Sequence, residues 1–431
     1  MLTAFGRAFK TPDLRRKIFF TLFIIGVYRL GAYIPGPGVS YVAIQDALAS
    51  TEGSSLYGLV NLFSGGALLQ LSVFALGIMP YITASIILQL LVVVIPRLEE
   101  LKKEGQSGQA KITQYTRYLT IALAVLQSTG IIALARSGRL FPDPSIEVIP
   151  DDSLFRILVL VITMTAGTAV IMWLGELITD RGVGNGMSVL IFTSIISSIP
   201  AQAVRLYQTD NGLLTVTMIA LLALVVITLV VYVEQAQRRI PVQYAKRMIG
   251  RRMYGGTSTY IPLKVNQAGI IPVIFASSLL YLPQLLSNVW TSNATFTRII
   301  TTYLTQPSHP VYLTVYFVLI VFFTYFYVAI TFNPVEVSDN MKKYGGFVPG
   351  IRPGRATAEY LDFILSRITA FGAVYLGLVA VLPYLLFGLT GSGDTVPFGG
   401  TAILIIVGVG LETVKQVESQ LMLRNYEGFL R

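Results

Sequence analysis

The chain has 431 residues, of which 54% are hydrophobic and only 13% charged, with a formal net charge of +10 and no cysteine. Soluble domains carry about a quarter charged residues, so a soluble globular protein is set aside, and with it any disulfide framework or thiolate metal site. The mean hydropathy of +0.67 describes a chain solvated by hydrocarbon over much of its length.

Taken in chain order, apolar runs of about twenty residues recur, each long enough to cross a ~30 Å hydrocarbon core as a helix. Backbone in lipid must satisfy its own hydrogen bonds, so these runs are predicted to be helical. The first, 18–36, is too long for the apolar part of a cleaved leader and ends in Pro and Gly, so it is predicted to be a retained span. Next comes an apolar stretch too short to span: Asn61, Leu62, Phe63, Ser64, Gly65, Gly66, Ala67, Leu68, Leu69, Gln70 and Leu71. It reads either as an interfacial segment of no special role or as a small movable element, folded back into an outer vestibule and able to occlude a pore. Further spans are predicted at 72–95, 115–135, 154–174, 187–204, 213–233, 268–288, 311–331, 368–389 and 399–415. The fold is therefore expected to be all-α, a polytopic membrane protein of ten transmembrane helices with both termini on one side.

The basic residues sort to match. With these spans, 26 of the 32 Lys and Arg residues fall on the side that holds both termini, which the positive-inside rule makes the cytoplasm. They concentrate in two long connections, 234–266 and 332–366. The first carries seven basic residues against one acidic residue, Glu234. Orientation bias and anionic lipid headgroups account for part of this charge. The excess suits RNA phosphates or acidic protein patches.

A repeat divides the chain. Residues 77–85 read GIMPYITAS and residues 269–277 read GIIPVIFAS, agreeing at six of nine positions. Each copy lies in the second span of a five-span half, and five is odd, so a duplicated half must enter the membrane inverted. Two pseudo-symmetric inverted halves follow, 1–205 and 206–431. Gly and Pro three residues apart loosen a helix, and their duplication marks the interface between halves as the place for a substrate path.

What the spans lack narrows the function. Their middles hold no Asp, Glu, Lys or His; Arg29 lies toward the outer end of the first span and Glu412 near the inner end of the last. A secondary transporter with inverted repeats, the competing reading, needs intramembrane coupling groups. A passive pore closed by an apolar constriction needs none. No Walker A motif occurs, so any nucleotide-driven motor is a separate protein. The single histidine, His309, falls in an expected loop and builds no metal centre alone, and neither catalytic groups nor a cofactor site are expected.

Several long runs resemble the SecY family: FSGGALLQLSVFALGIMPYITASIILQLL (63–91), DRGVGNGMSVLIF (180–192), YAKRMIGRRMYGG (244–256), PLKVNQAGIIPVIFASS (262–278), KKYGGFVPGIRPGRAT (342–357) and VESQLMLRNYEGFL (417–430). The resemblance implies a protein-conducting channel of the bacterial plasma membrane, a clamshell of two halves with an hourglass pore and a lateral gate to lipid. It implies SecE and SecG as companion subunits, the SecA ATPase or a ribosome as the source of the moving chain, and signal sequences as ligands. By the same resemblance the pore ring is Ile78, Ile82, Met187, Ile191, Ile274 and Ile405. Met187 departs from the usual branched aliphatic residue, which makes that position more pliable. The plug corresponds to 61–71 and the polar cluster of the lateral gate to Thr83, Gln127 and Asn266. Arg352 matches the arginine tied to SecA function, Arg251 and Arg252 match the ribosome-contacting pair, and Arg247 and Arg355 lie in the same docking runs.

Overall fold

The computed structural model of the chain describes residues 9, 11–44, 64–136, 148–150, 153–207, 212–244, 247–249, 252–254, 258–289, 300, 303–304, 309–389 and 400–427. In chain order the first half holds α1 (Pro12–Tyr33), α2 (Met79–Val94), α3 (Pro96–Lys103), α4 (Gln106–Arg136), α5 (Leu154–Arg181) and α6 (Gly186–Tyr207). Then follow α7 (Gly212–Gln235), four strands β1 (Gln237–Tyr244), β2 (Arg247–Ile249), β3 (Arg252–Tyr254) and β4 (Ser258–Lys264), and α8 (Ile271–Val289). The chain closes with α9 (Pro310–Thr331), α10 (Pro334–Lys343), β5 (Gly346–Phe347), α11 (Arg355–Leu389) and α12 (Gly400–Glu427).

Each of the ten expected spans falls on one long helix: α1, α2, α4, α5, α6, α7, α8, α9, α11 and α12. Among the described residues, α4, α5, α7, α11, α12 and α9 continuing into α10 are long and apolar enough to cross a membrane unaided. The pair α2–α3 also qualifies, bent by 99° at Ile95. The bend has a local cause. Pro96 lacks an N–H and pushes Ile95 out of the helical region, to φ −100° and ψ 111°. Residue α3 by residue, acid precedes base: Glu99 in its first turn pairs with Lys103 in its last at 2.7 Å, in the order the helix dipole favours. Outward-facing Leu213, Leu221 and Leu224 on α7 are more than 60% exposed, as expected of a helix solvated by hydrocarbon.

Two caps set helix starts. His309 Nδ1 accepts from Val311 N at 3.1 Å, and Pro310 occupies the first turn of α9, so the lone histidine caps a helix. Asn333 Oδ1 does the same for α10, accepting from Val335 N and Glu336 N at 3.1 and 3.4 Å.

The basic connections depart from the all-α expectation. β1 pairs antiparallel with β4, from Gln237↔Lys264 to Gln243↔Ser258, and β5 from the second connection adds to the other edge of β1 at Gln243↔Phe347. Alternation in β1 turns Ile240 and Val242 inward. Ile240 packs there with Leu263, Val348, Leu361 and Ile364. The two connections thus form one folded unit beside the helices.

Helix packing falls into two groups that meet along two seams. Within the first half, α4 packs on α2 and α5, and α1 on α5 and α6; within the second, α9 packs on α8 and α11, and α12 on α7 and α11. At one seam α6 meets α7 and α12. At the other, α8 meets α2 and α4.

Candidate functional site

The repeated segments share a backbone conformation. Gly77 has φ +55° and Gly269 φ +62°, the left-handed region that glycine enters without steric penalty. Two residues later a helix begins in each case, at Met79 and at Ile271, with Pro80 and Pro272 as second residues. The Gly-Pro pair is therefore a helix start, where proline's missing N–H has no partner to lose. It is not the mid-span kink that the sequence suggested. Residues 73–78 of the expected second span are turns, so α2 begins part-way along that apolar run.

Around these two starts the structure collects the ring residues. Ile78, Ile82, Ile191, Ile274 and Ile405 are between 1% and 8% exposed and share one hydrophobic cluster, and half-buried Met187 packs against it. The cluster draws on helices of both groups, including Ile24 of α1, Ile178 of α5, Val230 of α7, Ile320 of α9 and Leu376 of α11. Gly175 makes room for the methionine, since a Cβ there would collide with Met187 Sδ.

The short apolar segment is described from Ser64 to Leu71; Asn61, Leu62 and Phe63 lie outside the described residues. It is a chain of turns. Ser64 Oγ accepts from Leu68 N at 3.1 Å, and Gly65 and Gly66 take φ of +66° and +92°. Leu68 and Leu71 are fully buried in a second cluster with Ile44, Leu76, Ile131, Ile132, Leu160 and Met164, apart from the ring. Ala67 is buried as well, while Leu69 and Gln70 are half-buried.

The three polar residues expected at the gate are all buried but do not bond to one another. Thr83 Oγ1 donates to Met79 O of its own helix at 3.0 Å. Asn266 Nδ2 donates to Glu234 Oε1 at 2.5 Å and to Gly269 O at 3.0 Å, which ties the start of α8 to the end of α7. Gln127 lies buried on α4. The helices that carry them do meet, as α8 packs on both α2 and α4.

Of the basic residues, Arg352 is exposed on a turn whose backbone is pinned: its carbonyl accepts from Thr357 Oγ1 at 2.9 Å, and Gly354 O accepts from Ser338 Oγ at 2.7 Å. Arg355 pairs with Glu359 at 2.9 Å. Arg247 and Arg252 lie in the paired strands β2 and β3, and Arg251 lies outside the described residues.

The sequence pattern of the SecY family matches residues 72–414. The chain belongs to the SecY family. It is 65% identical to the protein translocase subunit SecY of Streptomyces scabiei and 59% identical to that of Mycobacterium bovis, covering 100% of each chain in both cases. Solved structures agree in fold. A SecY channel studied for its plug domain, which stabilises the closed state and maintains a membrane seal, superposes with a TM-score of 0.63 at 19% identity, over 94% of this chain and 91% of that one. Sec61 in a canine ribosome–channel complex gives a TM-score of 0.59 at 18% identity with the same coverage. Membership of the SecY family makes the chain a protein translocase subunit with the fold of a protein-conducting channel, ten spans in two halves. It decides against the secondary transporter.

Some contacts between helices have no sign in the sequence. Arg117 and Glu176 form a two-pronged ion pair, at 2.8 and 2.7 Å, between α4 and α5. Tyr28 and Ser194 hydroxyls bond at 2.6 Å between α1 and α6. Glu234 carried a signal, as the lone acid in a strongly basic connection; the others pair residues far apart in sequence that no local pattern joins.

Proposed function

We propose that this chain passes unfolded, signal-bearing polypeptides across a bacterial plasma membrane through a waist made by Ile78, Ile82, Met187, Ile191, Ile274 and Ile405, and releases hydrophobic segments sideways between α8 and the α2–α4 pair. The single observation that carries the reading is the burial of these side chains in one cluster built from both groups of helices. Aliphatic groups this inaccessible exclude water and ions while the waist is shut. They also offer a passing chain no hydrogen bonds, so any sequence can slide through.

The halves, 1–205 and 206–431, move apart at the α8 seam, and residues 61–71 are the plug. At the gate each Leu of an entering helix favours lipid by about 0.3–0.6 kcal/mol, whereas one central Asp or Lys opposes entry by about 2.5–3.5 kcal/mol. Roughly fifteen apolar residues outweigh a single charge, so signal sequences leave sideways and polar chains continue. Both termini and the β-sheet unit lie in the cytoplasm, where Arg247, Arg251, Arg252, Arg352 and Arg355 receive the SecA ATPase or a ribosome, and the surrounding charge meets anionic lipids. SecE and SecG complete the complex. The pinned backbone around Arg352 supports its part, since it presents a guanidinium at low entropic cost.

Replacing Ile82 or Ile405 by Asn tests the waist. A polar amide in this cluster weakens closure by about 2–4 kcal/mol, so export of a substrate with a crippled signal sequence rises at least severalfold. Variants that still export only substrates with intact signals exclude the waist. Arg352→Glu tests docking: SecA-driven export stops while the membrane content of the complex is unchanged. Undiminished export at equal content removes Arg352 from the motor site.

A further inference from the structure

Arg29 stands in the last turns of α1, inside a helix read as a membrane span. A guanidinium there is unfavourable unless its donors are engaged. Nη1 donates to the carbonyl oxygen of Gly65 at 3.0 Å, and Nη2 donates to the Tyr33 hydroxyl at 3.0 Å, one helical turn on. The guanidinium carbon also lies 5.1 Å from the centre of the Tyr33 ring, so the tyrosine fixes the arginine by both its polar tip and its face.

The receiving position is shaped for this contact. Gly65 has φ +66°, and an added Cβ would stand 2.7 Å from Arg29 Nη1 and 3.2 Å from both Ser194 Cα and Ser197 Oγ. Ser194 is itself bonded to Tyr28 on the α1 side. The backbone of Gly65 therefore sits in a slot between α1 and α6 that only glycine fits. At its other end the segment is tied to the loop after α1, since Gly36 N donates to Leu71 O at 3.0 Å and Val73 N to Ile34 O at 2.9 Å. Leu71 has φ +43°, which leucine disfavours, so the segment is held against its own preference.

We infer that Arg29 is a positioning residue for the plug: it latches Gly65 into the α1–α6 slot through its backbone carbonyl, with Tyr33 as its brace. The inference rests on the reading of those residues as the plug. The latch engages main chain, so with glycine at 65 it restrains the plug whatever side chains the rest of the segment carries. Its release frees the Gly65 end first and leaves the Leu71 end as the pivot.

The test uses the complete translocase complex reconstituted in lipid vesicles, with chloride flux as the measure of resting leak. Arg29→Gln raises leak on the order of tenfold, the equilibrium weight of one charge-assisted hydrogen bond. Arg29→Lys, whose ammonium still reaches the carbonyl, stays within about twofold of the parent. In a chain lacking residues 61–71, Arg29→Gln adds nothing, because the group it holds is gone. The parent sequence has no cysteine, so Ala67→Cys gives this chain a single thiol. Arg29→Gln speeds its labelling by a membrane-impermeant maleimide. If Arg29→Gln does not assemble, Tyr33→Phe, which removes one arm of the brace, raises leak about two- to threefold. A parent-like leak and labelling rate in Arg29→Gln overturns the latch, as does added leak from Arg29→Gln in the deleted chain. A deletion that does not leak at all overturns the plug reading itself, and that result is separable because it involves no change at Arg29.

Discussion

The two repeated helix starts have the same backbone and opposite attachments. Before α2 the chain arrives through the turns of 64–78, stacked inside the first half: the Phe74 ring lies 6.0 Å from Tyr28 and against Gly31, where a Cβ would collide with it. Before α8 the chain arrives from β4 and the basic sheet, and Asn266 ties the junction to Glu234. An inverted duplication explains the contrast. In the proposed arrangement, equivalent breaks in the two halves are approached from opposite faces of the membrane, so the same Gly-Pro signal is preceded by the short apolar segment on one face and the basic sheet on the other. The proposed waist lies where the two approaches meet.

Positions Thr83 and Phe275 are equivalent in the repeat and sharpen the comparison most. Thr83 bonds only its own helix, whereas the Phe275 ring packs edge-on against Phe323 at 5.6 Å in the ring cluster. Phe275→Ala is expected to destabilise the second half by about 3–5 kcal/mol. Thr83→Ala should cost about 1 kcal/mol or less. Thermal unfolding of the purified complex in detergent measures both, and equal losses would mean that the two starts are packed alike. Next in size is Glu234→Ala, expected to cost about 1–3 kcal/mol by leaving the buried Asn266 amide short of an acceptor. Glu234→Gln keeps an amide oxygen in place and should retain most of that stability. Among the described residues the first helix start has no counterpart of this tie, so deleting residues 61–71 should leave the Glu234 effect unchanged.

These contrasts also mark how far the sequence could be read. The spans were legible because hydrocarbon thickness demands about twenty apolar residues, and each expected run did meet a helix. Hydropathy is blind to φ, however, so SVFALG before Ile78 counted as helix although it folds as turns. The repeat was visible as letters, and its meaning as a helix start was not, because Gly and Pro loosen an interior and open a terminus equally well. In the first basic connection, charge hid a period-two pattern: buried Ile240 and Val242 alternate with exposed neighbours, as a strand with one face inward requires. Of the isoleucines that the family likeness assigns to the ring, Ile78, Ile82 and Ile274 also lie in the repeat, whereas Ile191 and Ile405 rest on the likeness alone. Arg29 was noticed as an oddity in a span, but its partner is a backbone carbonyl, which has no sequence signature.

The smallest effect isolates backbone conformation from everything around it. An added Cβ at Gly269 meets nothing within 4 Å, so Gly269→Ala changes no contact and removes only the freedom to hold φ +62°. The expected cost is about 1–2 kcal/mol, the penalty for a left-handed alanine. Asn tolerates this region better than Ala, so Gly269→Asn should recover part of the loss. A Gly269→Ala variant with unchanged unfolding temperature would mean that α8 begins equally well without the left-handed turn. The Gly-Pro pair would then be a relic of duplication in the second half. If instead the loss appears and Asn recovers part of it, the turn itself is what starts α8, and the nine-residue repeat is preserved for its geometry.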